Sequence, residues 1–392
     1  MTTERTSSRP VVRIHSATVP EGRLLPGVHG LRGIAAVAVV LFHIVHLAKI
    51  SVPDTFSFIA SDFGKGVHLF FVLSAFSLMY STEHTMQRQT WATEYFVKRF
   101  FRIAPLFYCI LAGMILWPLI KSQTLAVSLN ALLLNLTFTF GFAPWTGIVW
   151  AGWTVGVEMV FYASLPVLLL TVRSTSATTI LVVICIFVSY AARSILNAHY
   201  EISVPQYGYN WAYYSFESNL CYFAFGMYAF RLSRQIDKAS LTMRWIIPVI
   251  AVALLGTLIL TKPGSPLMPW KGETILWGIG FAMICLWQST RPSRWSANRL
   301  FEFLGERSYS LYLIHPVVIM LLKNQIQGIY AALTPSLGAY AYFVCAALVL
   351  GVLVVLAEAS YRLIEIPGIK LGKRINNRIR KRANTSEPAY SS

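Results

Sequence analysis

The stretch GLRGIAAVAVVLFHIVH, residues 30–46, is apolar enough to read as a membrane span, yet it carries Arg32 near one end and His43 inside it. Ionisable groups are costly within a bilayer and are kept where they act. The two residues are eleven positions apart, close to three helical turns, so they share one face with a rise of about 16 Å between them. With Arg32 at the cytoplasmic edge, His43 falls near mid-bilayer. Alone, Arg32 reads as a snorkelling anchor and His43 as a hydrogen-bonded helix contact. On one face, they form a polar track into the membrane.

Composition agrees with the span. Of 392 residues, 56% are hydrophobic and 12% charged, with a mean hydropathy of +0.57. That is too little charge to cover a soluble protein, so the class is polytopic membrane protein. The net charge of +17 lies mostly in short loops and at both ends, the cytoplasmic pattern, so nucleic acid is not the expected partner. Cys109, Cys185, Cys221, Cys285 and Cys345 lie in or beside apolar runs without a CxxC pair. They read as small hydrophobes, and neither a metal site nor a disulfide framework is expected. The first residues, with Arg5, Arg9, Arg13 and Arg23, lack the apolar core of a signal peptide.

Eleven apolar runs lie near 30–50, 66–81, 103–120, 125–142, 153–172, 177–197, 216–232, 246–260, 273–288, 308–322 and 339–361. Basic loops at 82–102, 231–244 and 291–307, and both basic ends, predict a cytoplasmic face; loops 51–65 and 261–273 predict the outside. These signs require an even number of crossings between 103 and 173. The run at 125–142, broken by Ser128, Asn130 and Asn135, is therefore expected to be re-entrant or interfacial. The expected fold is all-α, with about ten transmembrane helices. Its parts are a disordered basic tail over 1–25, a membrane domain over 26–375 and a basic, mostly disordered tail over 376–392, both tails cytoplasmic.

Arg99 and Arg102, in YFVKRFFRIAPLFY, lie three apart on one helical face. Two planar guanidinium forks at a cytoplasmic entrance suit a polyphosphate, although positive-inside flanking explains them equally well. Glu158, in WAGWTVGVEMVFY, falls in the outer half of its span and must pair, protonate or face water. It is read as a partner of His43, with a helix clamp as the bland alternative. His315, in RSYSLYLIHPVV, is open between packing and cavity. His68, in GVHLFFVLSAF, is read as packing.

Together these pieces resemble the membrane acyltransferase family 3, O-acyltransferases that modify sugars and other acceptors. LRGIAAVAVVLFH is similar to its Arg–ten residues–His signature, and GVHLFFVLSAF to its FFVLSGF segment. RFFRIAPLFY resembles RxxRIxPxYW, and WTVGVEMVFY, with Trp153, Glu158 and Tyr162, resembles WTLSVEEQFY. LGERSYSLYLIHPVV and YRLIEIP resemble two late motifs. The resemblance runs from about residue 26 to 375. Ala75 departs from a usual glycine, which predicts a looser helix contact. Met159 stands where a second glutamate is common, and EIP stands for ERP. The chain is expected to lack the extracytoplasmic esterase-like domain of some relatives.

The resemblance implies transfer of an acyl group, acetyl most simply, from cytoplasmic acyl-CoA to a saccharide hydroxyl in an O-antigen, exopolysaccharide or lipid-linked glycan. No cofactor is expected to be tightly bound. Arg99 and Arg102, with Arg32, would bind the donor phosphates. His43 would act as general base or transient acyl carrier, with Glu158 orienting it. Ser74, Trp153, Tyr162, Tyr312 and His315 are candidates to line the cavity. A small secondary metabolite such as a macrolide is the alternative acceptor, and a secondary transporter using the same charges is the remote one. The expected place is the bacterial inner membrane.

Overall fold

The structure, a computed structural model, describes residues 25–120, 127–203, 211–238, 240–261 and 273–385. The expected tail over 1–25 thus lies outside the described residues except for Leu25. Among the described residues every regular element is helical. The first half contains α1 (Pro26–Ala48), α2 (Gly66–Glu83), α3 (Trp91–Ile120), the short α4 (Leu129–Leu136), α5 (Trp153–Thr171) and α6 (Thr175–Ser203). The second contains α7 (Phe216–Gln235), α8 (Ile247–Leu260), α9 (Glu273–Thr290), α10 (Arg299–Glu306) and α11 (Ser308–Leu321). α12 (Lys323–Leu337), α13 (Ala341–Ser360) and α14 (Ile366–Thr385) complete it.

Among the described residues, seven helical stretches are long and apolar enough to cross a membrane, and Thr274–Thr290 and Ser308–Leu321 are shorter apolar helices. α7 has the length but is more polar. Trp117, Phe187, Val249 and Val355 are exposed, a surface that lipid tails accept and water does not. The chain is an all-α polytopic integral membrane protein.

α1 runs through the centre. Pro26 occupies its first turn, where a missing N–H costs nothing. Gly27, Gly30 and Gly33 form one face that meets the backbone of the 288–305 segment. A Cβ at Gly30 would lie 1.8 Å from the Ser296 carbonyl oxygen, and one at Gly305 would lie 2.0 Å from that of His29. α1 is therefore locked to α10 by close backbone approach, which only glycine permits. On its other side α2 runs back along it. Gly66 abuts Ala35 and Val39, while Leu25 and Val28 meet Phe76, Ser77 and Tyr80.

The contact at Ala75 is not loosened. Ala75 is fully buried, and Gly226 on α7 faces it: a Cβ there would lie 2.9 Å from that of Ala75. The facing glycine makes room for the extra methyl.

The weak run at 125–142 does not cross. α4 is eight residues long, about 12 Å. Buried Asn135 folds the following chain back, donating to the carbonyls of Ala131 (2.7 Å) and Thr146 (2.8 Å) and accepting from Ile148 N–H (3.1 Å). At the other end of the chain, α14 carries residues 376–385 as helix. Asn376 donates to the Glu94 carbonyl and Arg380 pairs with the Glu94 carboxylate, pinning the basic helix to the start of α3. Four cysteines are buried; Cys109 is exposed on α3.

Candidate active site

Two polar groups lie along α1, one towards each end. Arg32 is seven residues into the helix and His43 is five residues from its end. The helix midpoint is Val37, so the pair straddles it, with His43 about 9 Å beyond. His43 therefore sits in the second half of the helix.

The group near the start of α1 gathers Arg32, Arg99, Arg102, Glu158, Ser74 and Tyr162. Arg99 and Arg102 rise from α3, where a three-residue step keeps both on one face. Arg32 is within Coulombic reach of Arg102, Tyr162, Glu158 and Arg99. Arg99 donates to Ser81 (3.1 Å) and lies over the Tyr95 ring. Tyr162 donates to Glu158 (3.3 Å) and shares a hydrogen bond with Ser74 (3.1 Å). Among the described residues, none of the three arginines closes a salt bridge. The Nε atoms of Arg32 and Arg99 are buried without a hydrogen-bond partner. Unpaired buried guanidinium groups are costly, and an entering polyanion would supply the missing acceptors.

Three further members of this group do not stand out as site residues in the sequence. His29 lies one turn before Arg32 and within reach of Arg32 and Arg102. Glu365, 1% exposed, is hydrogen-bonded to Ser310 and within reach of Arg102. Tyr309 donates to the Ile103 carbonyl (2.8 Å) and packs near both glutamates. His29 is visible in the sequence as the residue three before Arg32 on the same face. The other two lie more than two hundred residues from it.

The second group, towards the far end, is built on His43 and His315. The Nε2 of His315 lies 3.0 Å from Nδ1 of His43, which is also 2.9 Å from the Val39 carbonyl oxygen. Nδ1 of His315 faces the Tyr312 carbonyl. A carbonyl only accepts, so in neutral His315 Nδ1 carries the proton and Nε2 the lone pair. His43 then donates from Nδ1, and its own Nε2 is left unprotonated. Trp150 packs edge-on to His43 at 5.4 Å between centroids, and Tyr312 lies beside His315 at 5.5 Å. Trp153 meets Tyr213 and Tyr214.

The structure does not bring Glu158 to His43. Trp150 is at the level of His43, and Glu158 lies eight residues further on, five steps along α5 from Trp153 and so about 7.5 Å deeper. The carboxylate belongs to the arginine group, and the partner of His43 is His315. His43 thus presents a basic nitrogen held in one tautomer, about 16 Å along α1 from a cationic cluster. Among the described residues no group of three or more His, Cys, Asp or Glu could hold a metal ion.

The helix α1 thus carries a cationic cluster towards one end and an oriented imidazole towards the other. A family model for an acyltransferase domain matches residues 25–357, and the chain belongs to this acyltransferase family. It is 22% identical over 392 residues to the O-acetyltransferase OatA of Staphylococcus aureus, covering 89% of this chain and 58% of that protein. The chain thus spans under two thirds of that relative. It is 27% identical over 326 residues to BcsY of Komagataeibacter xylinus, named as a putative membrane-bound transacylase, covering 77% of this chain and 75% of that one. No solved structure matches.

Proposed function

We propose that the protein moves an acyl group, acetyl most simply, from cytoplasmic acyl-CoA to a hydroxyl of a surface saccharide. The observation that carries the reading is the spacing of the two groups. Arg32, Arg99 and Arg102, with His29 beside them, take the phosphates of the donor. The pantetheine arm extends along α1 over the roughly 16 Å to His43. The name of the Staphylococcus aureus relative supports acetyl as the group moved.

In the step itself, Nε2 of His43 removes the proton of the acceptor hydroxyl as its oxygen attacks the thioester carbonyl. The carbon–sulfur bond breaks, and the CoA thiolate takes the proton back from His43. While His43 is charged, Nδ1–H continues to donate to Val39 and His315, which holds the ring and stabilises the imidazolium. His315 is thus a positioning residue. Glu158 and Glu365 temper the charge of the arginine cluster.

In this reading both chain ends and the arginine cluster face the cytoplasm, and the acceptor arrives from the opposite face of a bacterial inner membrane. Purified protein in nanodiscs, given radiolabelled acetyl-CoA, should release free CoA only when a saccharide acceptor is added, with label in the saccharide. Donor cleavage without acceptor, or label carried across the bilayer as intact donor, would refute the reading and favour hydrolysis or transport.

A further inference from the structure

A second polar cluster lies around the first turn of α2 and takes no part in the steps above. His68 on α2 is 1% exposed, and neither ring nitrogen has a hydrogen-bond partner. It leans towards the Lys65 carbonyl without closing a bond. Its ring packs on Tyr222 (4.3 Å between centroids) and edge-on to Tyr213 (5.1 Å). The buried Tyr222 hydroxyl lies near Thr274 without closing a bond, and Oδ1 of Asn219, three residues earlier on α7, also lacks a partner.

Arg193 of α6 is within Coulombic reach of both His68 and Tyr222. Its Nε donates to the Ser218 carbonyl (3.1 Å) and its Nη1 to Thr274 (2.6 Å). Its Nη2 is buried and unpartnered. Among the described residues no carboxylate pairs with it. A guanidinium held by two neutral acceptors keeps its full charge, and its third corner is set for an anion.

This cluster is continuous with the histidine pair. Tyr213, beside His68, is within reach of Tyr312, which packs against His315. Trp153 lies between, against Tyr213, Tyr214 and Phe71. Arg193, Thr274, Tyr213, Tyr214 and Trp153 are half-buried, so the cluster is not sealed on every side.

We infer that Arg193, His68 and Tyr222 form the acceptor subsite and that the acceptor is an acidic sugar whose carboxylate binds Arg193. The charge calls for an anion. His68 and Tyr222 each offer a donor and an acceptor, as neighbouring hydroxyls require. The aromatic side chains of Trp153, Tyr213 and Tyr214 join this cluster to the histidine pair. Held there, a neighbouring residue of the same glycan extends along the aromatic row to His43. The acceptor role rests on the function proposed above; the anion binding does not.

The test is equilibrium binding to purified protein in neutral-lipid nanodiscs, without donor, using a glucuronic-acid disaccharide and its glucose counterpart. Wild type should prefer the acidic sugar by about tenfold, roughly 1.4 kcal/mol. Arg193→Gln should erase the preference, and His68→Phe should weaken both sugars. Should Arg193→Gln fail to fold, Arg193→Lys should keep the charge but lose most of the preference, since the fork is gone. Equal wild-type affinities, or a preference that survives at Arg193→Gln, would overturn the inference. So would binding of short-chain phosphatidylglycerol, titrated in separately and lost at Arg193→Gln, with no disaccharide binding, which would give the site to a lipid headgroup. Acetyl transfer is not read in this titration, so a failure of transfer would leave the sugar preference intact.

Discussion

Among single residues, His43 and His315 meet ring to ring, and the proposed step uses them together. His315→Ala should lower turnover through loss of the orienting acceptor while leaving acetyl-CoA affinity unchanged. In a double-mutant cycle, His315→Ala added to His43→Ala should cost little beyond His43→Ala alone. Glu158→Gln should behave differently: its effect should add to that of His43→Ala, and donor affinity should not fall, because a negative charge leaves a site for anions. Additive losses for the histidine pair, or coupling of Glu158 to His43, would reverse these assignments. Arg32 and His43 are legible in the sequence because an eleven-residue step on a helix fixes a face. His315 stays open there because no local pattern says which helix it meets. The sequence misplaces Glu158 for a similar reason. Its distance from Trp153 is readable, but not which residues of α1, α2 and α3 the start of α5 packs against.

The elements depend on a few small or polar side chains. Asn135 satisfies two carbonyls and one N–H in a non-crossing segment. Asn135→Leu should destabilise the protein by about 1–3 kcal/mol, the usual cost of leaving buried polar groups unpaired, measured as a lower midpoint of thermal unfolding in detergent. An unchanged midpoint would mean that water replaces the side chain at no cost. Gly30→Ala should be as damaging or worse, since the new methyl would overlap the Ser296 carbonyl. The polar breaks in 125–142 give away the non-crossing run. The Ala75–Gly226 contact does not show, because the compensating glycine is about 150 residues away on α7, and a helix pattern carries no trace of its neighbours.

For the whole molecule, charge decides orientation and the fold places the chemistry. Cysteine reporters at positions 90, 240 and 295 should be shielded in intact cells and one at position 55 labelled. An externally labelled position 90 would put Arg99 and Arg102 on the wrong side for a cytoplasmic donor. The all-α membrane class is readable from composition because a bilayer demands long apolar helices. The proposed division of labour along α1 is not, since it depends on how α3, α5 and α11 gather around it. Separate measurement of donor affinity and single-turnover transfer in Arg99→Ala and His43→Ala tests that division most directly. Arg99→Ala should weaken acetyl-CoA binding by about tenfold, roughly 1.4 kcal/mol. His43→Ala should bind the donor as wild type does and transfer acetyl about 10²–10⁴-fold more slowly. Wild-type transfer by His43→Ala, or unchanged donor affinity in Arg99→Ala, would contradict it.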